Sequence, residues 1–365
     1  MTLCPASVEE LADALGDAAS KRASITLFGR NTKRLMAGPQ APADVTISTT
    51  RLNRILEYEP RDLTVSVEAG ASYADFQRTL AANGQMVPLD PPFESDCTIG
   101  GVVAANISGP RRRLYGSARD MVIGMKFVTL EGKVVQTGGM VVKNVAGLDM
   151  AKIMIGSFGT LAAIAVINFK VQPIPPASRT FIQEFANVDD AIAARDRIHK
   201  GVLQPAALDV VKDGGRYRVL VQAGGNAAVL ERYARELSAF QAAEGEDERI
   251  AWADVREFTP TFLSANPEGA VVRIPATLSE VGPVLKSLPG PAIARAGTGV
   301  CYGYFDHWRD ALGRGVVEYA PDEARSQAGV QLWPSPGADF EMMKKMKELF
   351  DPAHLLNRGR MYGRF

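Results

Sequence analysis

Thr98-Ile99-Gly100-Gly101-Val102-Val103-Ala104-Ala105-Asn106-Ile107-Ser108-Gly109 carries small residues at positions 100, 101, 104, 105, 108 and 109. That spacing leaves the backbone with almost no side-chain cover along one side. Such a surface suits close packing against a flat ring or a pyrophosphate, and it also suits a Gly-rich structural turn. The length of the run and its recurring polar groups (Thr98, Asn106, Ser108) weigh toward the first use. A stiff entry, Pro88-Leu89-Asp90-Pro91-Pro92, precedes it.

Two shorter motifs flank this stretch. Upstream, Phe28-Gly29-Arg30-Asn31-Thr32-Lys33-Arg34 reads as a strand entering a loop with three cations. Successive loop N–H groups form an anion nest and the cations offset phosphate charge. Taken alone, the same residues also read as a solvated basic turn. Downstream, Ile155-Gly156-Ser157-Phe158-Gly159-Thr160-Leu161 joins an apolar segment to a small-residue turn and then to a strand containing Ile164. By itself this is also readable as a tight turn in a core.

In this order and spacing the three motifs resemble the FAD-binding domain of the para-cresol methylhydroxylase and vanillyl-alcohol oxidase superfamily, over residues 5–175. The resemblance implies that the first loop and Thr98–Gly101 bind the pyrophosphate. It also implies that the second and third segments line the isoalloxazine and adenine. The candidate cofactor-binding residues are therefore Gly29, Arg30, Asn31, Thr32, Lys33, Arg34, Pro88, Thr98, Ile99, Gly100, Gly101, Ala104, Asn106, Ser108, Gly109, Ser157, Gly159, Ile164, Asn357 and Arg360. The family's covalent flavin links use His, Cys or Tyr beside the ring. Here Asn31, Thr32 and Lys33 stand where a His would be needed, so noncovalent FAD is expected.

Within the superfamily, Gly109-Pro110-Arg111-Arg112, Gly116-Ser117-Ala118-Arg119-Asp120-Met121 and Val142-Lys143-Asn144-Val145-Ala146-Gly147-Leu148-Asp149 resemble the FAD-binding subunits of bacterial glycolate oxidase. The tail, Leu349-Phe350-Asp351-Pro352 to Leu356-Asn357-Arg358-Gly359-Arg360, resembles the family's C-terminal segment returning to the flavin. Arg358 stands where the family has Pro. The resemblance implies a subunit of a glycolate (2-hydroxy acid) oxidase or dehydrogenase complex. Its partners would be a larger catalytic flavin subunit and an iron–sulfur subunit, and its FAD would pass or store electrons. Two rivals stay open: an independent FAD enzyme of a small hydroxy acid, and a flavin-stabilised assembly subunit without turnover.

The chain's 365 residues exceed one compact core. The expected fold class is α+β: a para-cresol-methylhydroxylase-type FAD domain of two α/β subdomains over residues 1–175, an α+β cap over 176–335, and a returning segment over 336–365. Ser7-Val8-Glu9-Glu10 forms a capping box that starts a helix. Strands are expected at 25–28, 45–48, 64–68 (with Val65 and Val67 on one face) and 164–171, with a helix after Ser72 that Asn83-Gly84 stops. Glu131-Gly132 signals a hairpin between 125–130 and 133–137. Pro173, Pro175 and Pro176 mark a boundary. Beyond it, strands at 179–185, 206–212, 271–274 and 292–296 and a strand after Gly214-Gly215 mix with helices at 189–199, 227–240 and 279–288. Glu244–Arg249 reads as a charged surface turn and 340–350 as an amphipathic helix.

Lys+Arg and Asp+Glu number 41 each and aromatics are 7%, which gives no case for nucleic acid. Cys4, Cys97 and Cys301 are widely spaced, fit a reducing compartment and form no metal pattern. The longest apolar stretch, 153–169, is broken by Gly156, Ser157 and Gly159, so no membrane span is expected. With no signal segment at the N-terminus, the expected location is cytoplasmic, peripheral to the inner membrane only through the complex.

The catalytic residues are not visible in the sequence. His199, His307 and His354 are the three histidines, and no His cluster marks the cap. An acidic or tyrosyl base, such as Tyr302 or Tyr304, stays open. The Arg111-Arg112-Arg113 run reads either as a solvated loop or as an anchor for a carboxylate or an acidic partner. Without a visible base, the chain alone is not expected to oxidise glycolate. Gly297-Thr298-Gly299-Val300-Cys301-Tyr302-Gly303 is not G-x-G-x-x-G and is rejected as a dinucleotide loop.

Overall fold

A computed structural model describes residues 2–140, 149–308, 313–327 and 330–363. The 142–149 segment singled out above lies outside the described residues except for Asp149. Ser7 Oγ accepts from the N–H of Glu10 at 3.1 Å and caps the helix Val8–Ser20, while the Glu10 carboxylate accepts from the N–H of Ala6. The helix buries Leu11 and Leu15 against Ile25, Ile47 and Val128. A three-stranded parallel sheet, in the order Thr2–Leu3, Val45–Ser48, Ile25–Phe28, shares that core.

The second subdomain is a five-stranded antiparallel sheet in the order Ile55–Glu59, Thr64–Glu68, Ala163–Lys170, Val122–Val128, Val134–Gly138. The strand Thr64–Glu68 is buried at all five positions rather than on one face. Strands pair with it on both edges, and Val65 and Val67 share one core with Phe76, Leu80 and Phe169. The hairpin at Glu131-Gly132 forms in the expected register, with Val128 opposite Val134.

The sheets change at residues 174–176. Gln172–Pro173 still pairs with Gln85–Met86 of the first unit, and Ala177–Phe185 begins the next sheet. That sheet has eight antiparallel strands: Gln241–Ala243, Ala177–Phe185, Arg216–Gly225, Ala207–Asp213, Ala292–Arg295, Val300–Phe305, Ala270–Pro275 and Val316–Tyr319. One face packs Val210, Val219 and Val221 under the helices Val188–Lys200 and Ala227–Glu236. The other face puts Val211, Leu220, Val271 and Ile293 into the same apolar core as Val65, Val102 and Phe169 of the first unit. The second unit is therefore packed into the core of the first.

Residues 244–249 are not a turn. They lead into the helix Gly245–Arg256, whose first turn places Glu246, Asp247 and Glu248 at the positive end of the helix dipole. Glu248 is buried and accepts from Ser178 Oγ, Thr180 Oγ1 and Gln222 Nε2, a tertiary partnership with no local signature. Residues 295–300 form a plain hairpin with Arg295 opposite Val300, in keeping with the rejected dinucleotide loop.

The tail returns to the first sheet. Following the helix Phe340–Phe350, Leu356 bridges Ile25 in parallel register, with Ile25 N–H to Leu355 O and Asn357 N–H to Ile25 O both at 2.8 Å. Lys347 and Asp351, each fully buried, pair at 2.6 Å. Lys347 Nζ also donates to the carbonyls of Thr160 and Leu356, and Asp351 accepts from the N–H groups of Leu355 and Leu356.

Candidate functional site

The strand Ile25–Phe28 delivers the loop 29–34 to the edge of a cavity of about 100 Å³. Gly29, Arg30, Asn31, Thr32 and Lys33 line it, together with Thr98, Gly100, Gly101, Ala104, Gly159, Ile164, Asn357 and Arg360. A larger cavity of about 320 Å³ adjoins it and shares Ala105 and Phe158 with it. Asn106, Ser108 and Gly109 line this second cavity. The sequence run 98–109 thus passes from one cavity into the other.

Four sequence candidates do not line either cavity. Arg34 turns outward into an ion pair with Asp322. Ile99 is 1% exposed in the apolar core, and the Ser157 Oγ accepts from the N–H of Gly159 within its own turn. Pro88 lies between Val87, whose carbonyl takes the Tyr73 hydroxyl, and Leu89. Each is spent on local structure.

The expected bare loop at 98–104 is a short helix, Ile99–Ala104, because Thr98 caps it: Thr98 Oγ1 accepts from the N–H of Gly101 at 3.3 Å. The N–H of Ile99 goes to Ala71 O and that of Gly100 to Ala69 O. These donors are used up within the protein. A Cβ at Gly100 would stand 2.8 Å from the Ala69 carbonyl oxygen, whereas one at Gly101 would meet only Thr98 Oγ1, at 3.1 Å. So Gly100 serves helix-on-strand packing, and Gly101 opens the cavity.

Open donors come instead from the first loop. The N–H groups of Asn31, Thr32 and Lys33 have no partner among the described residues, and Asn31 sits at φ 58°. Consecutive free N–H groups around a left-handed residue make an anion-binding concavity. Lys33 Nζ is buried beside them, donating to Thr32 Oγ1 and Pro92 O, and burial lowers its pKa. An anion there restores the charged state's stabilisation.

The tail residues act as clasps. Asn357 Nδ2 donates to Leu27 O and Phe158 O, and its Oδ1 accepts from the N–H of Leu27, tying the first motif to the third. Arg360 donates to the carbonyls of Lys33, Arg34 and Gly38 and lies over the Phe158 ring. Burial lowers its pKa to about 10.

The Arg run divides. Arg111 is engaged with Asp90, which accepts both its side-chain and backbone N–H groups. Burial alone would raise the Asp90 pKa, but the Arg111 guanidinium outweighs it and holds the carboxyl below the usual range. Arg113 donates to Pro205 O at 2.6 Å. Of the three, Arg112 lines the larger cavity and is solvent-exposed, so both readings of the run stay open at that residue alone.

Tyr302 and Tyr304 do line that cavity. Burial pushes the Tyr302 phenol up to about 12, and burial also raises Tyr304, whose hydroxyl pairs with Thr259 Oγ1. Both stay protonated near neutrality and serve as hydrogen-bonding groups rather than bases. Burial likewise pushes the Cys97 thiol up to about 11, which leaves it unreactive. His307 is exposed and outside both cavities. Among the described residues no His/Cys/Asp/Glu group has metal-holding geometry.

Sequence reasoning missed Arg273, Arg295, Glu318 and Tyr319, which also line the larger cavity. They stand on three different strands of the cap sheet, and no local spacing brings them together. The cavities fit a dinucleotide with a flat ring: a donor-rich narrow end, a bare helix face at Gly101, and a wide end with an unpartnered buried hydroxyl, Tyr319 Oη.

Comparison with known proteins agrees with this geometry. Residues 1–138 match the family described as FAD binding domain, and residues 335–361 match FAD linked oxidases, C-terminal domain. The chain is an FAD-dependent oxidoreductase, and FAD is its cofactor. It is similar to glycolate oxidase subunit GlcE of Escherichia coli (strain K12), at 28% identity covering 97% of each chain. Glycolate oxidase subunit GlcD of Bacillus subtilis (strain 168) is 25% identical, covering 99% of this chain and 88% of that one. Among solved structures, alkyldihydroxyacetonephosphate synthase in its P1 crystal form shares the fold, with TM-score 0.70 at 19% identity, over 98% of this chain and 75% of that one. No described helix is long and apolar enough to cross a membrane.

Proposed function

We propose that this chain is the FAD-binding subunit of an oxidase or dehydrogenase complex acting on glycolate or a related 2-hydroxy acid, with its FAD passing electrons to partner subunits. In this reading Asn31, Thr32 and Lys33 hold the pyrophosphate, Gly101 and Ala104 give it room, and Asn106, Ser108 and Gly109 lie along the isoalloxazine. The FAD is noncovalent and supplies two-electron oxidation. A larger catalytic flavin subunit and an iron–sulfur subunit are the partners, and the complex sits in the cytoplasm or peripherally at the inner membrane.

The observation that carries the reading is the pair of joined cavities spanned by residues 98–109, in a chain similar to a glycolate oxidase subunit over 97% of its length. A second reading, in which the chain also meets substrate itself, is favoured by a half-buried carboxylate, Glu318, in the larger cavity. Anaerobic titration of the purified chain, alone and with its partners, tests the proposal. A yellow chain whose flavin is reduced by substrate or by the larger partner supports it. A chain without flavin when purified from FAD-replete cells refutes it.

A further inference from the structure

Two non-glycine residues between Pro88 and Thr98 adopt left-handed backbone, Asp90 at φ 48° and Phe93 at φ 58°. Aspartate visits that region more readily, but a bulky residue such as Phe stays there only where its surroundings over-determine it. At Phe93 the determinant comes from the second unit. One oxygen of Glu257 accepts from the N–H of Phe93 at 2.9 Å, and the other accepts from the N–H of Glu94 at 3.2 Å. Two successive N–H groups around a left-handed residue form an anion-binding concavity, and here the chain's own carboxylate fills it. Glu257 stands at the junction of the helices Gly245–Arg256 and Phe258–Ala265. Arg256 pairs with it at 3.2 Å and with Glu94 at 2.8 Å.

The segment held in this way touches Lys33. The Phe93 ring lies under Lys33 Nζ, 5.1 Å from its centroid, and the Pro92 carbonyl accepts from Nζ at 3.3 Å. The one further hydrogen bond of Nζ among the described residues goes to Thr32 Oγ1, at 3.0 Å. Two of the three contacts that place this ammonium therefore come from the segment that Glu257 fixes. Burial lowers the Lys33 pKa, and Cys97, Glu257, Asp96 and Glu318 oppose that, in this order. Burial pushes the Cys97 thiol up to about 11, so it carries no charge near neutrality. Glu257 is then first among the charges that keep the ammonium protonated, although it lines neither cavity.

Resting on the placement of the FAD pyrophosphate at Asn31, Thr32 and Lys33, we propose that Glu257 is a positioning residue for the cofactor: acting through Pro92 and Phe93, it holds the Lys33 ammonium at the pyrophosphate. The concavity at 93–94 is filled from within so that the one at 31–33 meets its ligand with a fixed cation beside it. The grip on the cofactor's diphosphate is thereby set from the second unit, through the junction that follows the helix Gly245–Arg256.

The test dilutes the FAD-loaded full chain in series and reads FAD release by flavin fluorescence. Lys33→Met should weaken FAD binding about 10–100-fold, the size of a lost hydrogen bond to a charged group. Glu257→Gln keeps one acceptor where two are needed and should weaken it about tenfold. In the Lys33→Met background the same Glu257→Gln change should cost less than about twofold, because its effect passes through Lys33. The pH profile gives a reading that a merely structural role would not move. The pyrophosphate favours the protonated ammonium, so affinity is full below the Lys33 pKa and falls as pH rises through it. In Glu257→Gln that fall should begin at lower pH than in wild type, and in Lys33→Met it should be lost.

Equal losses from Glu257→Gln with and without Lys33, or an onset that does not move, overturn the proposal. Should Glu257→Gln not fold, Phe93→Leu, which keeps the two N–H bonds to Glu257 and removes the ring under Nζ, decides it by the same cycle with Lys33→Met. A Lys33→Met chain that holds FAD as tightly as wild type would instead overturn the pyrophosphate placement beneath the proposal, so that single variant tells the two failures apart.

Discussion

Gly100 and Gly101 are neighbours in one short helix, yet substitutions at the two positions should act in opposite directions. At Gly100 an added Cβ meets the Ala69 Cβ at 2.7 Å and the Ala69 carbonyl oxygen at 2.8 Å, and the latter is backbone. Overpacking of this kind costs about 1–3 kcal/mol. Valine adds two further methyl groups, so Gly100→Val belongs at the upper end, ~3 kcal/mol. At roughly 2–4 °C per kcal/mol for a chain of this order of size, the flavin-free protein should melt about 6–12 °C lower. At Gly101 the Cβ meets only Thr98 Oγ1 and otherwise open cavity. Gly101→Ala should therefore leave the flavin-free protein as stable as before or up to about 1 kcal/mol more stable, since Ala is the better helix former. The same methyl occupies space in the smaller cavity, and FAD affinity should fall at least about tenfold, which is about 1.4 kcal/mol. The stabilisation conferred by saturating FAD shrinks by that amount. Thermal melts with and without FAD, and a fluorescence titration of FAD into stripped protein, measure both. Gly101→Ala with undiminished FAD affinity refutes the placement of the cofactor against this helix.

Acid precipitation should leave the yellow chromophore in the supernatant; colour in the pellet would mean a covalent link. Lys347→Met strands a fully buried Asp351, at a cost of about 3–5 kcal/mol; because the pair anchors the Asn357 clasp, flavin retention on gel filtration should drop as well. The Asp90 carboxyl titrates below the usual aspartate range, so its contribution to stability is present above that range and lost as pH falls through the depressed value. Asp90→Asn should be less stable than wild type at pH 7, and denaturant midpoints of the two should converge as pH falls below about 4.

The local elements were readable because their causes are local. Ser7 and Ser72 are caps followed by apolar residues at helical spacing, and Glu131-Gly132 is a turn with a φ of 72° at Gly132. The three motifs announced themselves through small residues, since a bare backbone is a sequence property. What escaped was tertiary. The Thr98 hydroxyl accepted from the Gly101 N–H and made a helix where a loop was expected, and of the two glycines lining the cavity Gly100 also packs on Ala69. Glu248 looked like part of a solvated turn because its partners, Ser178, Thr180 and Gln222, lie on other elements. Glu318 was invisible for a similar reason: it is the extra residue of a bulge opposite Val271 and Val272, a mismatch between two strands that one strand's sequence does not record. The absence of a His cluster had pointed to a chain without its own base. The cap sheet places one carboxylate, Glu318, along the cavity, in line with the acidic base left open by the sequence.

The tail clasp also sets an order of events in the cell. Asn357 holds Leu27 across 330 positions of sequence, and Arg360 holds the carbonyls of Lys33 and Arg34. During synthesis the loop 29–34 leaves the ribosome early, but the groups that fix its carbonyls arrive only after more than 300 further residues. Domains generally fold as the chain emerges, and this one cannot complete its 29–34 loop until residue 360 is free of the exit tunnel. At about 5–20 residues per second that interval is on the order of 15–60 seconds. Flavin captured before then meets an unfastened site, so a nascent chain arrested short of residue 347 should release FAD far faster than the completed one.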